Sequence, residues 1–228
     1  MDQEENEKKE SSTTKTKKTP AQRQKTIRAF IVLLGGLLLF SGIILAILFF
    51  MSDRETGGKT VEYNNYQFKE LEDGKWNVEI QSLEDKLYSI PLYFNPYQVE
   101  DVSVDTNPKQ FLELVLQTKG RAAYVTFDPT ASNFSPIALA ATELSVNLAQ
   151  VLNIQPIAAC TMNKTDVCVD RPIINCSQTD RLTIYLKESE QTNVSRIYRD
   201  QGCFVLEGDK KNLVRSVDRF LFELYGIM

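Results

Sequence analysis

A chain of 228 residues with 43% hydrophobic residues and 10% aromatics has room for one domain of ordinary size and is too apolar to be disordered throughout. Its net charge of −4 is held unevenly: residues 1–28 carry eight Lys/Arg against five Asp/Glu, and residues 52–228 carry eighteen against twenty-five. The acidic balance of the larger part excludes a nucleic-acid footprint, and the absence of any histidine removes the commonest general base and the commonest neutral metal ligand.

Residues 1–28 are rich in Glu, Lys, Ser and Thr, with too little apolar surface to offset the entropy of ordering, so a disordered cytoplasmic tail is expected. Residues 29–51 follow, twenty-three in a row without a charge. At about 1.5 Å rise per residue such a helix would be roughly 34 Å long, enough to cross a bilayer. Six basic residues precede it (Lys15, Lys17, Lys18, Arg23, Lys25, Arg28), whereas Arg54 and Lys59 beyond it stand beside Asp53 and Glu55. The positive-inside rule then places the tail in the cytoplasm and the remainder outside. No small-residue cleavage site is seen, so an uncleaved, single-pass signal-anchor at the cell membrane is the reading. Gly35-Gly36 and the pair Gly42 and Ala46 offer small residues for a homodimer through this helix.

Residues 52–60 contain Gly57-Gly58 and read as a linker to a globular extracytoplasmic domain over 61–228. Its first part reads as β structure. A strand over 63–71, the turn Asp73-Gly74 and a return strand over 75–80 make a hairpin. A third strand over 87–94 holds Pro91, which argues for a sheet edge or a bulge. Tyr88, Tyr93, Phe94 and Tyr97 form an aromatic cluster suited to packing or to stacking against a glycan.

Beyond residue 106 the pattern changes. Asn107-Pro108 fits the start of a helix that Gly120 can stop, and 122–127 is an apolar run of strand length. Ser135-Pro136 repeats the capping pattern before a helix over 136–152, and 154–159 is again apolar, giving a βαβ unit. A loop over 160–176, a strand over 182–187 and a hairpin around Asp200, Gln201 and Gly202 come next. Gly208-Asp209 opens a final helix over 210–225, whose Leu213, Val214, Val217, Phe220, Leu221 and Leu224 make one apolar face to dock on the sheet. The expected class is an α+β or α/β ectodomain, with an N-terminal antiparallel hairpin region and a C-terminal βαβ-containing region.

Four cysteines in a region expected outside the cell point to two disulfides, Cys160–Cys168 and Cys176–Cys203 being the preferred pairing. A site in which all four thiolates hold a metal is the rival, but the spacing contains no C-x-x-C knuckle, and a catalytic thiol would have no histidine to activate it. Sequons at Asn133, Asn163, Asn175 and Asn193 are glycosylation candidates, with Pro136 and Cys176 making the first and third of them poorer acceptors. The weak catalytic candidate is Asp128, just past the end of an apolar strand and near a helix start at Ser135, where open α/β sheets bind ligands. Thr130, Ser132 and Ser135 could add hydroxyls; a simple Asp-Pro turn is the plainer reading. No phosphate loop, nucleophile elbow, zinc-protease or calcium-loop motif is present, so no cofactor is implied.

The segments ALAATEL (138–144), NIQPIAACTMNKTDVCVDRPIINC (153–176), TIYLKES (183–189) and VDRFLFELYGIM (217–228) resemble uncharacterised single-span membrane proteins of small-genome archaea. The resemblance covers most of the domain. It implies a lineage and a membrane-anchored layout, and no activity. The function expected is an envelope protein whose outer domain binds another envelope protein or a glycan. The alternatives are a membrane-tethered hydrolase or ligand-binding α/β domain centred on Asp128, and an accessory subunit of a membrane complex.

Overall fold

The computed structural model describes residues 34–46, 58–82, 84–118 and 120–228. The chain divides into Met1–Gly57 and Gly58–Met228. In the first unit residues 34–46 are helical and every one of their side chains is exposed. Among the described residues no helix is long and apolar enough to cross a membrane; the rest of the expected span, 29–33 and 47–51, the tail and most of the linker lie outside them.

The second unit is α+β, with one antiparallel and one mixed sheet. Asn64 and Asn65 both adopt positive φ, 46° and 67°, the backbone of a two-residue hairpin turn whose twist matches its strands. They join β1 (Thr60–Tyr63) to β2 (Tyr66–Glu70), so the single strand expected over 63–71 is in fact the end of one strand, a turn and a second strand. Gly74, at φ 80°, turns the chain into β3 (Trp76–Gln81), and β4 (Leu87–Leu92) closes a sheet in the order β1-β2-β3-β4. Pro91 lies on β4, which among the described residues pairs only with β3 and can spare an amide donor.

The mixed sheet runs β5-β9-β10-β8-β6-β7, from β5 (Ser103–Val104), β6 (Ala122–Phe127), β7 (Gln155–Cys160), β8 (Thr183–Glu188), β9 (Ser195–Asp200) and β10 (Cys203–Gly208). The β7, β6, β8 and β10 strands are parallel neighbours in turn, and β9 runs against β10. Asn107 caps α1 (Pro108–Gln117) by accepting from Lys109 N. The crossover helix α2 (Phe134–Gln150) begins two residues before the expected Pro136, with Asn133 rather than Ser135 at its cap.

The last helix, α3 (Lys211–Leu224), holds the layers together. Besides the expected apolar face it buries Ser216, Asp218 and Phe222. Phe220 meets Phe111 of α1 at 5.5 Å and Phe204 of β10 at 6.1 Å between ring centroids, while Phe222 meets Phe68 of β2 at 5.6 Å. A helix buried on two sides lies between the sheets, and the unit has one continuous apolar core.

Behind the mixed sheet, the segment between β7 and β8 is stapled by two cysteine pairs, Cys160–Cys168 and Cys176–Cys203, with Cα separations of 6.0 and 5.0 Å. Thr126 of β6 donates to Ile174 O at 2.7 Å and Ile174 is buried, so this segment covers the β6 side of the sheet's outer face.

Candidate ligand-binding cleft

Strand register builds the site. Ile184, Leu186, Phe204, Leu206 and Ile197 point into the helical layer, so the alternate residues of the same strands point outward. Tyr185, Val205 and Tyr198 form one outward row across β8, β10 and β9; Lys187, Glu207 and Arg196 form the next. The second row is cation, anion, cation on directly opposed positions.

Glu207 ties the row together. Its side chain is only 6% exposed, and its Oε2 accepts from Arg196 Nη2 at 2.8 Å and Nε at 3.0 Å, Tyr198 Oη at 2.9 Å and Lys187 Nζ at 3.4 Å. Its Oε1 takes no hydrogen bond among the described residues. Burial pushes the Glu207 carboxyl up, but the hydrogen bonds from Arg196 and Tyr198 and the charge of Lys187 outweigh it and hold the pKa below the usual range. Burial pulls Lys187 down, yet Tyr198 and Glu207 leave it raised. Burial raises Tyr198, and the Glu207 carboxylate raises it further. Tyr185 is pushed up to about 12 by burial first, then by Asp128, Tyr198 and Glu207.

Tyr185, Lys187, Glu207 and Arg196 floor an open cleft of about 620 Å³, walled by Asp128, Thr130 and Ser132 after β6, by Glu188 at the end of β8 and by Ser189 and Gln191 after it. The cleft therefore lies at the carboxyl ends of parallel strands, the usual ligand position in open sheets.

Asp128 sits on the rim as expected, but part of its carboxylate is already used: Oδ1 accepts from Thr130 N at 2.8 Å and Thr130 Oγ1 at 2.7 Å, an Asx turn. The helix start nearby is also occupied. Glu188 Oε2 accepts from Asn133 N and Ser132 Oγ, both at 3.2 Å, so the chain supplies its own carboxylate at the helix start, where a helix favours an anion. Ser135 does not line the cleft. The sequons Asn133, Asn163, Asn175 and Asn193 are all exposed, and Asn175 Oδ1 is engaged by Ser177 N at 3.1 Å. The aromatic cluster is dispersed: Tyr97 packs edge-on to Tyr63 at 5.1 Å, and Tyr88 and Tyr93 line a separate recess.

The row Lys187, Glu207, Arg196 escaped sequence reasoning because it exists only through the parallel pairing of β8 with β10, which skips β9 in the chain. Its local trace is slight: Tyr185 and Lys187 alternate with apolar residues in β8, but β10 carries Val205 before Glu207 and β9 is mostly polar. No protein-family model, no curated protein and no solved structure matches this chain.

Proposed function

We propose that the domain is a binding module that takes a hydroxyl-rich ligand, a glycan, in the cleft at the carboxyl ends of β6, β8 and β10. The observation that carries this reading is the direction of the charge shifts around Glu207. The shifts of Tyr185, Lys187, Arg196 and Glu207 in the cleft, and of Tyr198 beside it, all carry the pKa further from pH 7, whereas acid–base catalysis needs a pKa brought toward it. Groups fixed in their ordinary charge states are preorganised donors and acceptors. Lys187, Arg196 and Tyr185 offer hydrogens; Glu207 Oε1 and the free oxygen of Asp128 accept them. That mixture suits the alternating donors and acceptors of sugar hydroxyls, and Tyr185 adds a ring face.

The reading extends to location. Residues 29–51 anchor the chain in a bilayer as a single-pass signal-anchor with the domain outside, where another envelope protein could carry the glycan. The uncharged run, its basic N-terminal flank, two cysteine pairs at disulfide distance and four exposed sequons support this arrangement.

Titrating the full chain in detergent against a glycan array tests the proposal, with Asp128→Asn as the variant. Losing one hydrogen bond to a charged group, about 1.5–3 kcal/mol, corresponds to binding roughly 10- to 100-fold weaker. The melting temperature should stay within about 2 °C, because asparagine keeps the oxygen that accepts from Thr130. Unchanged glycan affinity in this variant, or no glycan bound by the wild type, defeats the proposal. Turnover of a glycan by the wild type, lost in Asp128→Asn, would instead establish the hydrolase reading.

A further inference from the structure

Two acids meet where the helices cross behind the antiparallel sheet. Glu143 of α2 is 8% exposed and Asp218 of α3 is 0% exposed. One oxygen of each is satisfied by consecutive backbone amides: Tyr93 N donates to Glu143 Oε1 at 3.3 Å, and Phe94 N to Asp218 Oδ2 at 2.8 Å. The remaining oxygens, Glu143 Oε2 and Asp218 Oδ1, are buried and have no partner among the described residues.

Two ionised carboxylates here would place like charges and unpaired acceptors side by side in an apolar interior. A proton between them removes both defects, because it turns one oxygen into a donor aimed at the other and leaves a single charge on the pair. The charged and titratable neighbours do not substitute for it. Lys75, facing Glu143 from just before β3, is committed to Asp73 at 3.1 Å; Tyr225, facing both acids beyond the end of α3, donates to Asn147 Oδ1 at 2.7 Å.

We propose that Glu143 and Asp218 form a proton-binding site, and that the proton they share holds residues 93–94, and with them the antiparallel sheet, against the helical layer. The backbone link is direct, because the same two carboxyls grip the chain as it leaves β4. Glu143 also lines an apolar recess of about 290 Å³ between β4 and α2, with Tyr88, Ile90, Leu139 and Val146, which gives water a route to the pair once the proton is lost.

The titration supports the geometry. Burial is the main cause for both acids. It pushes Glu143 up to about 7, against the opposing pull of the Asp218 carboxyl, when that carboxyl holds the proton, and of the Tyr93 amide, and it pushes Asp218 well above the usual carboxylate range, with the Glu143 charge adding to it. The steps belong to the pair rather than to either residue. Both native values lie above the unfolded ones, so the folded state holds protons that the unfolded chain releases. The stabilisation is complete below the ordinary carboxylate range and is lost as pH rises through about 7 and beyond. Glu207 has the opposite sign, since its depressed pKa contributes above that range and is lost only in acid, so pH 5–8 isolates the pair.

The experiment is urea unfolding of the full chain in detergent across pH 5–8, wild type against Glu143→Gln. The glutamine carbonyl keeps the bond from Tyr93 N, and its amide donates to Asp218 Oδ1 without a titratable proton. The wild-type midpoint should fall steadily with pH, and that of Glu143→Gln should fall by no more than half as much. Infrared spectra of the wild type at neutral pH should show the C=O stretch of a protonated carboxyl, absent in Asp218→Asn. A wild-type midpoint that is flat or rises across the window, or equal slopes in the two proteins, overturns the proposal. Should Glu143→Gln fail to fold, the wild-type spectrum decides, and a missing protonated-carboxyl band overturns it alone.

Discussion

Replacing Phe220 by alanine is expected to lower the unfolding free energy by about 3–5 kcal/mol, measured as a shift of the urea midpoint at constant slope. Phe220 is fully buried, and its ring is edge-on to Phe111, whose ring in turn meets Phe204 at 5.5 Å. The three rings join α1, α3 and β10, so truncation removes both apolar transfer energy and two ring contacts, and leaves a cavity that three elements would have to close together. Against a typical total of about 5–15 kcal/mol, this is a large share of the domain's stability. Phe134→Ala is the control. Phe134 lies at the start of α2, touches Phe127 at 5.2 Å and is 40% exposed, so its loss should cost about 1 kcal/mol, in proportion to the area it buries. Equal effects of the two substitutions would mean that α3 is not the middle layer.

The same helix shows what could be read from the chain and what could not. Leu213, Val217, Phe220, Leu221 and Leu224 recur at helical spacing, so one apolar face and its docking onto a sheet were legible. Phe222 and Asp218 fall on the other side, and a second buried face is not a periodic signal. It becomes visible only when the antiparallel sheet brings Phe68 and the chain leaving it brings the amide of Phe94 to meet it. The βαβ unit was legible because its two apolar runs flank an obvious helix, and because β6 and β7 are direct neighbours. The first hairpin was not, since Asn64-Asn65 is a weaker turn signal than Asp73-Gly74 and its strands run straight into it.

The cleft divides in the same way. Asp128 was legible from position alone, at the end of an apolar strand before a helix. The residues that give the cleft its charge pattern were not, because Lys187 and Glu207 lie twenty positions apart in the sequence and meet only by strand register. A local reading assigns Lys187 and Arg196 to solvent-facing strand positions. It has no means of finding that Glu207, 6% exposed, collects both of them and Tyr198 on one oxygen.

Removing the Cys176–Cys203 pair by alanine at both positions is expected to cost about 3–4 kcal/mol, and removing Cys160–Cys168 in the same way about 2–3 kcal/mol. The order follows from loop length, because the first pair closes a separation of 27 residues and the second a separation of 8, and a longer closed loop restricts the unfolded chain more. Local packing adds to the difference. Gly202, beside Cys203, donates to Cys176 O at 2.9 Å, and a Cβ there would come within 2.8 Å of Gln178 O, so the staple fixes a close backbone approach at the start of β10. Glu207 lies toward the other end of that strand, held by register to β8 and β9. If the domain binds a glycan as proposed, that affinity should survive loss of either pair at temperatures where the variants remain folded, even as their melting temperatures fall in the stated order. Loss of binding in a folded variant would make the stapled segment part of the site; an inverted order would mean that the shorter loop is stabilised by contacts that chain entropy does not count. Cys160, Cys168 and Cys203 are each at most 1% exposed, so thiol trapping of the native wild type should find no free cysteine, and mild reductant should open neither pair before the domain unfolds.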